Sequence, residues 1–140
     1  MLRTPVVFLT GASGEIGHTL IERLSEDGSR PVITLDLKPL DPSIAPRVAR
    51  HFTGSILEPQ LLERILSEFE VDQVFHLAAL LSTRSEFTPV TAHQVNVEGT
   101  MAMLEFAEKP RDIVIQDEAG KPLKAGDRGR RYFEGPWMHK

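Results

Sequence analysis

The stretch Thr10-Gly11-Ala12-Ser13-Gly14-Glu15-Ile16-Gly17 (TGASGEIG) decides how this chain of 140 residues is read. It follows Pro5–Thr10 (PVVFLT), a β-branched and aromatic run that predicts a buried strand. It opens residues 14–27, where Ile16, Leu20, Ile21 and Leu24 recur on one helical face. Gly28 then stands where a left-handed C-cap belongs. Three glycines spaced GxxGxxG at a strand-to-helix junction each have a physical task. Gly11 permits a tight turn, Gly14 leaves bare backbone where a pyrophosphate can approach, and Gly17 lets the helix pack closely on the sheet. The helix N-terminus adds N–H groups and partial positive charge for the phosphates. A glycine triplet alone is weak evidence; between a predicted strand and a predicted helix it points to a dinucleotide.

Asp36 ends the second predicted strand, Pro31–Asp36 (PVITLD), 19 residues past Gly17. A carboxylate there accepts hydrogen bonds from an adenosine ribose diol and repels a 2′-phosphate, which favours NAD over NADP. Lys38 works against that preference. Ala49–Thr53 reads as a weak third strand. Residues 58–69 read as a helix, with Pro59 at its first position and Leu61, Leu62, Ile65, Leu66 and Phe69 facing inward. Val71–Ala79 is a fourth strand. Thr88 and Pro89 open a helix to about Glu108, and Ile113–Gln116 is a fifth strand. The strands are continuous apolar runs alternating with helices. This predicts an α/β fold, a doubly wound parallel sheet in the order 3-2-1-4-5, truncated after about the fifth strand.

Composition narrows the function classes. Hydrophobic residues at 41% suffice for a packed core, and a net charge of -4 argues against electrostatic binding of nucleic acid. The absence of cysteine removes disulfides, thiolate metal sites and cysteine nucleophiles. His18, His51, His76, His93 and His139 have no metal-ligand spacing. No stretch approaches the roughly 20 apolar residues of a membrane span. With no secretory signal pattern either, a cytoplasmic protein that meets neither membrane nor nucleic acid is expected.

Three motifs in order across residues 5–108 resemble the extended short-chain dehydrogenase/reductase family, in its NAD-dependent epimerase/dehydratase group. TGASGEIG (10–17) looks like the family's TGxxGxxG, HLAA (76–79) like the motif ending its fourth strand, and VNVEGT (95–100) like its NxxGT helix segment. The resemblance implies a Rossmann-like fold with NAD held by Gly11, Ser13, Gly14, Glu15, Ile16, Gly17, Asp36, Ser55, Ile56, Leu77, Ala78, Ala79 and Asn96. It also implies that Asn96 supports the site structurally from inside its helix, and that His76 is structural. Where the family has Gly-Asp-Ile/Leu this chain has Gly54-Ser55-Ile56. Two readings stand: Ser55 hydrogen-bonds adenine, or Ser55 and Glu58 form a capping box. Gly99 inside a helix costs roughly 1 kcal/mol relative to Ala, so close packing against another segment is expected there.

Leu81-Ser82 and the nine residues between Ala79 and Pro89 are more similar to the L-threonine 3-dehydrogenase branch than to UDP-sugar epimerases. Ser82 then helps hold a substrate, or else sits in a polar surface loop. Family chemistry uses a Tyr and a Lys four residues later; here the single tyrosine is Tyr132, and Pro136 stands four residues on. No catalytic residue is therefore assigned, and this stretch alone is expected to bind NAD weakly and turn nothing over. The expected function is the NAD-binding part of an oxidoreductase acting on a small hydroxy substrate, threonine or similar. The alternative is a non-catalytic dinucleotide sensor or assembly module.

Residues 1–112 are read as the nucleotide-binding domain and 113–140 as an atypical tail. Residues 1–100 carry 8 Lys/Arg against 13 Asp/Glu, and residues 101–140 carry 8 against 7, with no Ser or Thr. The tail reads as a hairpin over 113–129 with its turn at 118–122. A basic-aromatic cluster follows: Arg130, Arg131, Tyr132, Phe133 and Trp137. Either it binds an anion or partner chain, or it packs a terminus onto its own domain. The family's habit of pairing through the equivalent of the 89–108 helix makes a homodimer an expectation too.

Overall fold

In the computed structural model residues 4–108 are described, with the backbone of 115–116 and 122–123. The chain divides into two compact units, Met1–Pro110 and Arg111–Lys140. In the first, β1 (Pro5–Thr10) lies at the centre of a parallel sheet. It pairs with β2 (Val32–Asp36) on one side and β4 (Glu70–His76) on the other, and β3 (Arg50–Thr53) lies beyond β2. The order is β3-β2-β1-β4. Five of the six β1 residues and four of the five β2 residues are buried, as strands covered on both faces must be.

Helices cover the sheet. α1 (Glu15–Asp27) ends at Gly28, whose φ of 61° closes the helix through its N–H to the Leu24 carbonyl. α2 (Pro59–Glu68) buries Leu62 and Ile65, with Leu61, Leu66 and Phe69 packed against the same cluster. That cluster joins Phe8 and Ile33 of the sheet to Met103 and Phe106 of the last long helix, with the Phe8 and Phe106 rings 5.0 Å apart.

Four expectations are corrected. β4 stops at His76, three residues early, because the chain there turns off the sheet. The segment read as a polar loop forms a short helix, α3 (Ser82–Phe87). The Thr88 hydroxyl does not cap the next helix; it donates to the Arg84 carbonyl (2.9 Å). The helix from Pro89 is not uniform: α4 (Pro89–His93) passes through a π-turn (Gln94–Glu98) into α5 (Gly99–Glu108). Gly99 does meet another segment, since a Cβ there would stand 2.4 Å from the Ile56 side chain.

The fifth parallel strand is also corrected. Ile115–Gln116 (β5) pairs antiparallel with Pro122–Leu123 (β6) in a separate two-stranded ladder. A partner six residues away needs only a short loop, whereas a parallel partner needs a crossover. Residues 113–114, most of the turn and the basic-aromatic cluster lie outside the described residues.

Candidate functional site

The carboxyl ends of all four parallel strands meet at one edge of the sheet. Gly11 N–H bonds the Leu35 carbonyl (3.0 Å), Leu77 N–H the Thr10 carbonyl (3.1 Å), and Gly54 N–H the Asp36 carbonyl (2.9 Å). A cleft of about 570 Å³ opens above this edge. In an open α/β sheet this is where ligands bind.

The three glycines of the first turn differ in what they require. Gly11 has φ 70°, and a Cβ on it would meet the Ala78 nitrogen and Leu77 carbon at 2.6 Å. Gly17 packs so close that a Cβ would stand 2.6 Å from the Ala12 carbonyl oxygen. Gly14 is otherwise: φ −80° and ψ 168° suit any residue, and the nearest atom to a Cβ is the Gly11 oxygen at 3.6 Å. The fold demands the outer two glycines and not the middle one, which borders open cleft. Gly14 also precedes α1 with no side-chain cap, and Gly14, Glu15, Ile16 and Gly17 all line the cleft, so the uncapped helix N-terminus borders it. Bare backbone, a helix N-terminus and room are what a diphosphate needs.

Of the residues assigned to the cofactor, Gly11, Gly14, Glu15, Ile16, Gly17, Asp36, Ser55, Ile56, Leu77, Ala78 and Ala79 line this cleft. Ile16, grouped from sequence with Leu20, Ile21 and Leu24 on one face of α1, stands on the cleft wall and is 72% exposed. Leu37 and Leu81, 70% and 77% exposed, border the same space. Leu35, Gly54, Leu80 and Val95 line it too; none of these six was assigned to the cofactor from sequence, although Gly54, Leu81 and Val95 stand in motifs read there. An apolar Leu37 just past a strand end was the available signal.

Three named residues stand elsewhere. Ser13 donates its N–H to Asp36 Oδ2 (3.0 Å) and its hydroxyl to the Lys38 and Pro39 carbonyls (3.2 Å each), tying the glycine turn to the end of β2. Asn96, in the π-turn, grips Leu80 twice: Oδ1 accepts its N–H (2.8 Å) and Nδ2 donates to its carbonyl (3.0 Å). Asn96 is thus an exposed backbone clamp behind the cleft lining. Asn96→Ala is expected to cost about 1–2 kcal/mol and to speed hydrogen exchange at the Leu80 amide, measured by NMR. Ser82 begins α3, outside the cleft lining. The capping-box reading of Ser55 is corrected to a turn ahead of α2, because the N-cap of that helix is Glu58. The Ser55 N–H bonds Glu58 Oε1 (2.8 Å) and its Oγ accepts the Leu57 N–H (3.1 Å), yet it lines the cleft.

His76 sits beneath the site. Its Nδ1 accepts from the fully buried Thr10 hydroxyl (2.7 Å), and its Nε2 faces Thr100 Oγ1 (3.4 Å), whose proton goes to the Asn96 carbonyl (2.7 Å). These partners assign the neutral Nε2–H tautomer. Burial pushes the His76 pKa below its ordinary value of 6.5. As pH falls the unfolded chain takes up this proton first, so stability declines below about 6.5 and levels off once the folded-state value is passed. Denaturant unfolding at stepped pH should show the decline, and His76→Asn, which keeps an acceptor for Thr10, should remove it.

Among the described residues no group of three or more His, Asp or Glu side chains could hold a metal ion, and no helix is long and apolar enough to cross a membrane.

Residues 7–115 match the NAD dependent epimerase/dehydratase family. The chain belongs to this family. Family members use a nicotinamide dinucleotide, and the bare turn, helix N-terminus and Asp36 fit one. D-erythronate dehydrogenase of Haemophilus influenzae is 32% identical over 107 residues, covering 74% of this chain and 33% of that protein. The solved GalE-like L-threonine dehydrogenase of Cupriavidus necator is 30% identical with a TM-score of 0.65, covering 74% of this chain and 33% of that one. The chain spans about a third of the length of these relatives. A separate similarity, 38 residues long and 27% of the chain, is 68% identical to a xylosidase/arabinosidase of Bacteroides ovatus and covers 12% of it.

Proposed function

We propose that the first unit is the NAD-binding part of an epimerase/dehydratase-type oxidoreductase whose substrate is a small hydroxy compound, L-threonine or one like it. The observation that carries this is Gly14, a glycine the fold does not require, set at the helix N-terminus beside open cleft. Asp36, with both carboxylate oxygens turned to backbone N–H groups and its residue on the cleft wall, supports NAD over NADP. The apolar wall of Ile16, Leu37 and Leu81 suits an adenine or nicotinamide face. The threonine assignment draws on the dehydrogenase neighbours. Titration calorimetry with NAD tests the first part: weak saturable binding is expected, and no heat would overturn it. NADH formation on adding threonine to the purified chain would overturn the expectation that this stretch alone turns nothing over.

The protein is read as cytoplasmic, without nucleic-acid or membrane partners. Val90, Val97, Met101 and Leu104 are exposed along the helix that begins at Pro89, which supports a homodimer or cover by more of the same enzyme. Light scattering at high concentration should show association; a monomer would count against the homodimer.

A second reading concerns the C-terminal unit. The family match ends at residue 115, and a 38-residue stretch of the chain is similar to a glycosidase, so we read the C-terminal unit as carrying part of that stretch. The change in composition beyond Ala107 agrees with a segment foreign to the dehydrogenase pattern. The tail then acts as a separate arm, for a partner chain or for none. Deleting residues 117–140 should leave NAD affinity unchanged; its loss would place the tail in the cofactor site.

A further inference from the structure

We infer that His51 and Ser13 are positioning residues that set the preference between NAD and NADP, by fixing the Lys38 backbone, whose carbonyl they hold and whose N–H rests on Asp36; this rests on the cofactor reading above. The Lys38 carbonyl is held from two sides, by His51 Nε2 (2.9 Å) and by the Ser13 hydroxyl (3.2 Å). The Lys38 N–H donates to Asp36 Oδ1 (3.0 Å), and the Ser13 N–H to Asp36 Oδ2 (3.0 Å). His51 is itself anchored in the sheet, because its Nδ1 lies 2.8 Å from the hydroxyl of Thr34, a fully buried residue of β2. A ring nitrogen facing a carbonyl must carry the proton, so Nε2 donates to Lys38 and Nδ1 accepts from Thr34. Thr34, His51, Lys38, Asp36 and Ser13 thus form one connected network. It runs from the sheet interior to the carboxylate on the cleft wall.

The network has a chemical consequence. A carboxylate offers about four lone-pair sites. Two are used by backbone N–H groups, which fixes the plane of the carboxylate and leaves the others for a ribose diol at a set angle. Lys38, exposed two residues away, carries the nearest cation in sequence. While its backbone is held on both sides of Cα, Asp36 stays in place and its charge excludes a 2′-phosphate. If the Lys38 carbonyl is released, the residue's backbone is free to rotate, its N–H can leave Asp36, the carboxylate can turn away and the ammonium can approach a 2′-phosphate. Binding of NAD then weakens and binding of NADP strengthens.

The test is calorimetric titration of the full chain, with NAD and NADP in turn, on four proteins: wild type, His51→Leu, His51→Gln and Ser13→Ala. His51→Leu removes the donor to Lys38, whereas His51→Gln keeps an N–H at the same reach. Ser13→Ala deletes only the hydroxyl of an exposed residue and keeps its N–H on Asp36, so it serves if His51→Leu fails to fold. The NAD-over-NADP ratio should narrow about fivefold in His51→Leu and in Ser13→Ala, and stay near wild type in His51→Gln. An unchanged ratio in Ser13→Ala and His51→Leu overturns the inference alone. An equal loss of both cofactors also overturns it, because it signals a merely structural role. A wild-type chain that binds neither cofactor overturns the cofactor reading, and this inference with it.

Discussion

Gly14→Val is expected to abolish NAD binding, weakening it more than about 100-fold, while lowering stability by only about 1 kcal/mol, the cost of an apolar N-cap. The reason is local. The backbone at Gly14 is extended, and a Cβ there meets nothing closer than the Gly11 oxygen at 3.6 Å. The fold accepts the side chain, and the branched carbons then stand where the diphosphate needs bare backbone. Calorimetric titration paired with urea unfolding separates the two effects. A variant that still binds NAD as wild type does would contradict the role given to this turn.

Gly11→Ala should do the reverse first. Its Cβ would lie 2.6 Å from the backbone of Leu77 and Ala78, at a φ of 70° that L-residues avoid. The left-handed conformation and the overlap together are worth about 3 kcal/mol. Neither contact can yield cheaply, because both are with the main chain leaving β4. The midpoint of urea unfolding should fall sharply, and NAD binding should go with it. A Gly11→Ala protein as stable as Gly14→Val would show that the turn is not built as described.

The glycine turn and the sheet were legible because each depends on neighbouring residues. Apolar runs such as PVVFLT and VITLD cannot be anything but buried, and a GxxGxxG between strand and helix allows few geometries. Asp36 was legible because strand length fixes its distance from the turn. Ile16 was read two ways, with Leu20, Ile21 and Leu24 on one face of α1 and as a cofactor contact; it lies about 140° around the helix from the buried Ile21 and stands on the cleft wall. α3 is too short to show a period, and the π-turn depends on one extra residue between Gln94 and Gly99 that no pattern marks. The fifth strand failed because periodicity identifies a strand and not its partner; β6 lay nearer than β4 in the chain. The ties among Ser13, Asp36, Lys38 and His51 cross up to 25 residues of sequence, and only the fold brings them together.

The most direct measurement is a titration of the isotopically labelled chain with NAD, followed through its backbone amide resonances. The amides of Gly11, Gly14, Glu15, Ile16 and Gly17 should shift progressively and saturate together, with those of Asp36 and Ala78 moving alongside. If these amides stay fixed while NAD is raised to millimolar levels, or if only residues remote from this edge respond, the claim that the glycine turn holds a dinucleotide is wrong.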